Sequence, residues 1–535
     1  MVTFMARNPF TAVKSSSKAK STMRTQTSSD SEGQPPRQYL PNEIWHLIIA
    51  HISEEELKCL YSVNSFFLHI ALDLRYRELA LLQPTKDTMK LLTRMSDPSL
   101  TSRVKTLELC PNAFAADTPH IDSDRAKISL CPPKKTLYHS LRQKIMQARV
   151  TLPNSDSELS SGTQSDSAFQ CVAKIMPGLK AVTTLHLHWM CKSENCNPSD
   201  IARALGLWDV FGANLRGLDI SLWAPVEGVR VEWPPASHLR VLESLKISIS
   251  ERNSPQSIPD PTYGLSLSGF SQEDLAKFIT QLSPSLVSLT ITSGIHIFGF
   301  TTLFEQLGCL PRLRKLTLAV PLDQGHWPDI SSLTSFLITH KGSLEHLDLR
   351  HSSCDRHIEV PAPEWPARVL TGVFLPALRS LTIDLNFVPR QMARNAFRQS
   401  AMWPRLESLS IRRRLLESDH LVLLADAYRE AGTGQLRELK LSVPILNRTV
   451  VDTLANAFPG LRVLDIGVVF IGSYTFNVLS GVERFRGQMK GARYDAWLLT
   501  DLTVSTMRSN LPTHHATAIL RQCIPGLCNV QDTDS

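Results

Sequence analysis

Leucine and isoleucine recur at a fixed offset along most of the chain. The pattern L-x-x-L-x-[LI] is read at Leu215-Arg-Gly-Leu218-Asp-Ile220, Leu242-Glu-Ser-Leu245-Lys-Ile247 and Leu286-Val-Ser-Leu289-Thr-Ile291. It returns at Leu313–Leu318, Leu344–Leu349, Leu378–Ile383, Leu406–Ile411, Leu436–Leu441 and Leu461–Ile466, and two looser copies begin at Val104 and Val182. In each copy the last two apolar positions alternate with polar ones, the period of a strand with one buried face. Several copies are preceded by Pro or Gly two residues before the first leucine (Pro311, Pro376, Pro404, Gly434), a turn into a short strand. Between copies the period becomes helical. Ser271-Gln-Glu-Asp274 caps a run with Leu275, Phe278, Ile279 and Leu282 on one face, and 418–432 and 448–458 read the same way.

The central leucines from 185 to 464 are separated by 33, 27, 44, 27, 31, 34, 28, 30 and 25 residues, mostly near the long end of the leucine-rich-repeat range. A strand-then-helix unit repeated in series predicts a parallel solenoid, curved with the strands inside, over 83–470. A partly disordered insertion is expected at about 111–170, holding one helical stretch (Thr136–Val150). The repeat is lost after 470, so 471–535 is expected to cap the far end, with Trp497 and Leu498 as core contacts. In such strands the residues between the leucines point to the concave face. Those chosen as substrate-binding candidates are His186, His188, Asp219, Lys246, His346, Asp348, Arg350, Asp384, Arg412, Glu438 and Lys440. The face is polar and mixed in sign, and extended concavities are what repeat solenoids bind with.

A different organisation precedes the repeats. After Leu40-Pro41, Ile44, Leu47, Ile48 and Ile52 share one helical face, Ser53-Glu-Glu-Glu56 is a capping box, Leu57 and Leu60 lie on a second helix, and Val63, Phe66, Phe67 and Ile70 mark a third. Three short helices over 38–82 form a core too small to stand easily alone, so one apolar face is expected to need a partner.

The run Leu40-Pro41-x-Glu43-Ile44-x3-Ile48-x3-Ile52-x3-Glu56-Leu57-x2-Leu60-x2-Val63-x3-Phe67 resembles an F-box without a gap. Asp73-Leu-Arg-Tyr-Arg-Glu78 resembles the tail that follows it in F-box-like proteins of mushroom-type (basidiomycete) fungi. The departures are Asn64 where the family often has Cys, Phe67 where it often has Trp, and Glu56 for the usual Asp. The resemblance implies a docking surface for the Skp adaptor of an SCF-type cullin–RING ubiquitin ligase, formed or supported by Leu40, Pro41, Ile44, Ile48, Leu57, Leu60 and Val63. The expected fold is α/β: an N-terminal three-helix F-box followed by a curved leucine-rich-repeat solenoid with parallel inner strands and outer helices. The implied function is substrate recognition, with ubiquitin transfer carried out by partner proteins and a protein substrate on the concave face. The alternative is a leucine-rich scaffold or inhibitor unconnected with a ligase.

Composition narrows the remaining classes. In 535 residues, 42% are hydrophobic and 20% charged, enough for a sizeable core. The formal charge is +7, but residues 1–37 carry six basic against two acidic residues and are rich in Ser and Thr. That stretch reads as a disordered leader. The remaining +3 leaves a nearly neutral body, which disfavours nucleic acid as a partner. No apolar run reaches the length of a membrane helix. Ten cysteines without a CxxC pair suit reduced thiols, and a cytoplasmic and/or nuclear monomer within a hetero-complex is expected. His186-x-His188-x2-Cys191-x4-Cys196 has the residue types of a zinc site, but the cysteine spacing is loose and a repeat folds without metal, so no metal or other cofactor is expected. Phosphate-binding glycine loops and nucleophile elbows are absent.

Overall fold

Alternation of buried leucines with outward polar residues is satisfied when each short strand lies beside the next with its leucines in register. The computed structural model has this arrangement. It describes residues 42–49, 51–53, 56–57, 60, 65–114, 162–189, 198–223, 232–250, 271–294, 300–320, 329–352, 365–385, 388–432, 435–474, 478–506 and 513–534. The chain divides into two units, Met1–Glu78 with Pro119–Ser161, and Leu79–Thr118 with Gly162–Ser535.

The larger unit is a leucine-rich-repeat solenoid built, among the described residues, on one sheet of fourteen strands whose spatial order follows the chain. They are β1 (Glu78–Leu81), β2 (Thr106–Leu109), β3 (Thr184–Trp189), β4 (Gly217–Trp223), β5 (Ser244–Ser250), β6 (Ser288–Ser293) and β7 (Lys315–Val320). The series continues with β8 (His346–His351), β9 (Ser380–Asp384), β10 (Ser408–Leu415), β11 (Glu438–Leu446), β12 (Val463–Ile471), β13 (Asp501–Thr506) and β14 (Asn529–Asp534). From β2 onward every strand runs parallel to the next, and the repeat leucines stand in register: Leu107, Leu185, Leu218, Leu245, Leu289 and Leu316 form one row. All of that row is buried.

Backbone bonding just before each strand holds the register. The N–H groups of Arg216 and Gly217 both donate to the Thr183 carbonyl, those of Glu243 and Ser244 to Arg216, and those of Val287 and Ser288 to Glu243. The same fork recurs along one edge as far as Cys528 and Asn529 on the Thr500 carbonyl. Three neighbours at this position are oppositely charged, giving Arg216–Glu243 at 3.6 Å, Arg314–Glu345 at 3.5 Å and Arg379–Glu407 at 3.9 Å. Exposed pairs of this kind contribute about 0–1 kcal/mol each, so the backbone fork and the leucines carry the stacking.

The helices form on the cues that predict them. Ser271 Oγ accepts from Asp274 N–H at 3.1 Å to open Gln272–Gln281, and Asn447 Oδ1 accepts from Val450 N–H at 3.0 Å to open Arg448–Ala457. Ser418–Ala431 stops at Gly432, whose φ of 64° suits a residue without a β-carbon. Successive helices pack side by side, Arg390–Ala401 on Ser418–Ala431 and that helix on Arg448–Ala457.

Three expectations are corrected. The stretch 471–535 does not lose the repeat, since β13 and β14 extend the sheet through Leu499-x-x-Leu502-x-Val504 and Leu527-x-x-Val530. Valine replaces leucine or isoleucine there and packs as well on a pleated surface. The sheet begins at β1, inside the stretch 38–82 expected to be wholly helical. Trp497 is buried, with its indole N–H donated to the Phe458 carbonyl at 3.1 Å, but Leu498 is 58% exposed. Neighbours in extended chain point apart, and the inward position falls to Leu499. The helix expected at Thr136–Val150 and the loop after it lie outside the described residues, while an unexpected helix, Gly162–Ile175, buries Ala168, Val172 and Ile175.

Candidate functional site

Two surfaces correspond to the predicted site residues. The first lies on the smaller unit. Its helices Asn42–Ile49 and Ser65–Tyr76 meet through Trp45, whose ring centroid is 5.2 Å from Phe67 and 6.2 Å from Phe66. Between them the capping box closes as expected: Glu56 N–H donates to Ser53 Oγ at 3.3 Å, while Glu56 Oε2 accepts from Ser53 N–H at 3.0 Å and from its hydroxyl at 2.7 Å. The Ser53 side-chain bond, then its backbone bond, holds the Glu56 carboxyl below its usual range.

With Trp45 and Phe67 turned together, the opposite side of the first helix is left open. Ile44 is 40% exposed and Leu47 63%. Ile48 and Leu60 are half-buried. Leu57 is buried at 6%, so it supports the unit from within. Leu68 and Leu74 add exposed apolar surface on the second helix. Leu40, Pro41 and Val63 lie outside the described residues.

The second surface is the concave face. Strand register brings five groups together at β2–β5. His188 Nε2–H donates to Glu108 Oε1 at 3.0 Å, His186 Nδ1–H to Asp219 Oδ2 at 3.2 Å, and Lys246 Nζ to the same oxygen at 2.7 Å. Burial pushes the Asp219 carboxyl up, but the His186 hydrogen bond and the Lys246 ammonium together outweigh it, and the group lies below the usual carboxylate range. Asp219 is the hub of this cluster, one carboxylate shared between two donors from the strands on either side.

Further along, Arg350 pairs with Asp348 on its own strand, and Lys440 pairs with Asp465 on the next. Asp384 is buried at 3% and stands opposite the half-buried Arg412 in the β9–β10 register. His346 and Glu438 are exposed at the outward position that opens their strands. The face therefore alternates paired charges with a central run of hydroxyls, Ser248, Thr290, Thr292 and Thr317, where Thr292 Oγ1 donates to Ser248 Oγ at 2.8 Å.

No protein-family model and no curated protein sequence matches the chain. Among solved structures, one similar chain comes from the TLR13–ssRNA13 complex. It is 16% identical over 67% of this chain and 47% of that one, with a TM-score of 0.33, so this chain spans under half its length. Another comes from the yeast Rad7–Elc1 complex, 13% identical over 74% of this chain and 93% of that one, with a TM-score of 0.31. At this overlap no functional argument rests on either.

Two concave residues escape the sequence reading. Glu108 sits in the loosest copy of the repeat, and its bond to His188 spans 80 residues. Only the pairing of β2 with β3 makes them neighbours. Lys315 stands in register with His346 at the strand-opening position, and the sequence signal for it was the residue just before the repeat leucine. Of the four residues with zinc-ligand chemistry, His186 and His188 are engaged by carboxylates, and Cys191 and Cys196 lie outside the described residues.

Proposed function

We propose that the chain is a substrate-recognition subunit of an SCF-type cullin–RING ubiquitin ligase. Its helical unit docks the Skp adaptor as an F-box, and the concave face of its solenoid binds a protein substrate. The chain is non-catalytic in this reading and contributes proximity and orientation, while partner proteins in the cytoplasm or nucleus transfer ubiquitin.

One observation carries the proposal. The gapless F-box-like run places Ile44 and Leu47 on a helix whose aromatic residue faces inward, and both aliphatics are left exposed. Two large aliphatics on one turn of a helix in so small a unit are the signature of a face that a partner covers. The intramolecular pairing of concave charges supports a protein substrate over a polyanion, because the cations already have carboxylate partners.

The test is co-expression with a Skp adaptor and capture on the adaptor. Wild type is retained. Ile44→Asp with Leu47→Asp is not, and because both sites are exposed the variant keeps its circular dichroism and elution volume. Leu57→Asp is the wrong probe, since a charge at a buried position unfolds the unit it reports on. A folded wild-type chain that ignores the adaptor leaves a leucine-rich scaffold with no ligase role.

A further inference from the structure

The row of residues that forms the backbone fork before each strand changes character toward β12. Arg216, Arg314 and Arg379 each stand beside a glutamate of the next repeat. After Glu407 the row reads Arg437 and then Arg462, with no acid between them. The N–H groups of Arg462 and Val463 both donate to the Arg437 carbonyl, so the two arginines are neighbours about 4.8 Å apart across the sheet. Arg405, on the turn into β10, adds a third exposed guanidinium. Among the described residues none of the three has a carboxylate partner. Glu407 lies beside Arg379, and Asp501 accepts from Thr500 and Asn529. Like charges opposite one another on neighbouring strands are destabilising, so folding alone does not account for the pair.

Exposed aliphatic side chains stand at both ends of this stretch. Met402, on the turn that carries Arg405, is 59% exposed, and Leu498 is 58% exposed. Leu498 N–H donates to the Pro459 carbonyl at 3.1 Å, which sets it against the turn leading to Arg462. Each aliphatic adjoins a buried tryptophan tied to the preceding repeat. Trp403 Nε1–H donates to the Val373 carbonyl at 3.2 Å, and Trp497 Nε1–H to that of Phe458 at 3.1 Å. Both aliphatics are therefore held outward on anchored turns. Single exposed aliphatics are ordinary, but two that bracket an unneutralised cationic row mark a contact surface.

The same edge shows which anion suits the row. Carboxylate is what the equivalent arginine takes in three other repeats, and a guanidinium matches it fork to fork. Glu407, Glu438 and Asp501 border the row, so a uniformly anionic ligand, whether a phosphate chain or a bilayer, is brought against acids as well as arginines. A peptide can place its acids selectively. The aromatic rings of these turns, Trp403, Phe458 and Trp497, are buried, which leaves a nucleic-acid base no face to stack on. From the β10 turn to the β13 turn is three strand spacings, about 14 Å, the reach of about five extended residues.

We propose that this edge of β10–β13 binds an acidic segment of a partner protein in which large aliphatic residues flank the acids. The carboxylates meet Arg405, Arg437 and Arg462, and the aliphatics meet Met402 and Leu498. Only the larger unit carries this surface, so the inference goes beyond adaptor docking and does not depend on it.

The test titrates the full-length chain with acetyl-Leu-Glu-Glu-Glu-Leu-amide by ligand-observed NMR at low and at physiological salt. The wild-type chain binds it, more weakly at the higher salt, and binds the Leu-Gln-Gln-Gln-Leu analogue about tenfold less tightly. Arg437→Glu with Arg462→Glu abolishes binding, and because both positions are exposed the circular dichroism and elution volume stay unchanged. Met402→Ser with Leu498→Ser weakens binding about tenfold and leaves its salt dependence in place. Absence of wild-type binding, equal affinity for the glutamine analogue, or unchanged binding by the charge-reversed chain overturns the proposal. Displacement by tetrathymidylate, which matches the peptide in charge, below the peptide's own dissociation constant gives the row to nucleic acid and overturns it too. Retention on phosphatidylserine vesicles that is lost in the charge-reversed chain gives it to a bilayer, with the same consequence. Adaptor capture does not enter these readouts, so failure of the ligase reading leaves them intact.

Discussion

His340 is the most consequential buried polar residue of the middle repeats, and replacing it with leucine has a calculable effect. The side chain is 2% exposed at the end of the helix Ser331–Thr339. Its Nδ1–H donates to the Phe336 carbonyl at 2.7 Å, and its Nε2 accepts the Leu310 N–H at 2.9 Å. It therefore ties one repeat's helix to the turn leading into β7. Leucine fills most of the ring's volume, so packing changes little. Phe336 O keeps the His340 backbone N–H, but the buried Leu310 N–H loses its acceptor. An unsatisfied buried donor costs about 1–3 kcal/mol, and about 2 kcal/mol is expected here at pH 7.5.

The same geometry sets a pH dependence. Accepting from Leu310 requires Nε2 without a proton, and burial pushes the imidazole pKa down against the opposing bond to Phe336. The unfolded histidine takes up its proton near pH 6.5, before the folded one does. The contribution of His340 is thus complete above that pH and is lost as pH falls toward the folded pKa, with a limiting slope of about 1.4 kcal/mol per pH unit. Urea midpoints of wild type and His340→Leu, measured from pH 7.5 to 5, should converge as pH falls. Hydrogen exchange read on the peptide containing Leu310 should quicken in the variant. Equal stability at pH 7.5 with parallel pH profiles would refute this assignment.

Two further predictions concern other parts of the solenoid. At Gly472, φ is 75° and an added β-carbon collides with the Gly481 carbonyl, whereas Gly432 at 64° has nothing within 4 Å. Gly432→Ala should cost about 1–2 kcal/mol and Gly472→Ala about 3 kcal/mol or more by denaturant unfolding, and equal costs would contradict the described packing. Asp219→Asn should lower stability by about 1 kcal/mol at neutral pH, because both donors it releases can turn to solvent. The Asp219 contribution is present above the unfolded carboxylate pKa near 3.9 and lost as pH falls through the lower folded value, so the gap to wild type should close in acid.

The repeat was legible because every inward leucine answers to one constraint, the alternation of a strand, and the constraint recurs too often to arise otherwise. Its ends were harder to read. Val504 and Val530 meet the same packing demand as Leu or Ile, and a pattern written for the latter passes over them. The concave face was legible as a set of positions, since register follows from the leucines. Its bonds were not, because whether His188 faces Glu108 depends on which strands neighbour each other across a long insertion. On the helical unit, periodicity groups Ile44 with Leu47 but cannot say whether anything covers them. It likewise cannot distinguish exposed Ile44 from buried Leu57, because both satisfy the same apolar spacing.

The measurement that bears most directly on the ligase reading is the dissociation constant of the full-length chain for a purified Skp adaptor, with and without the paired charges. Two apolar residues near the centre of a helix-in-groove contact each contribute on the order of 2 kcal/mol, so Ile44→Asp with Leu47→Asp should weaken binding at least several hundredfold. The expected result is measurable wild-type affinity, loss in that variant, and an unchanged circular dichroism spectrum. A wild-type chain without affinity for the adaptor, or a variant that binds as tightly as wild type, would contradict it.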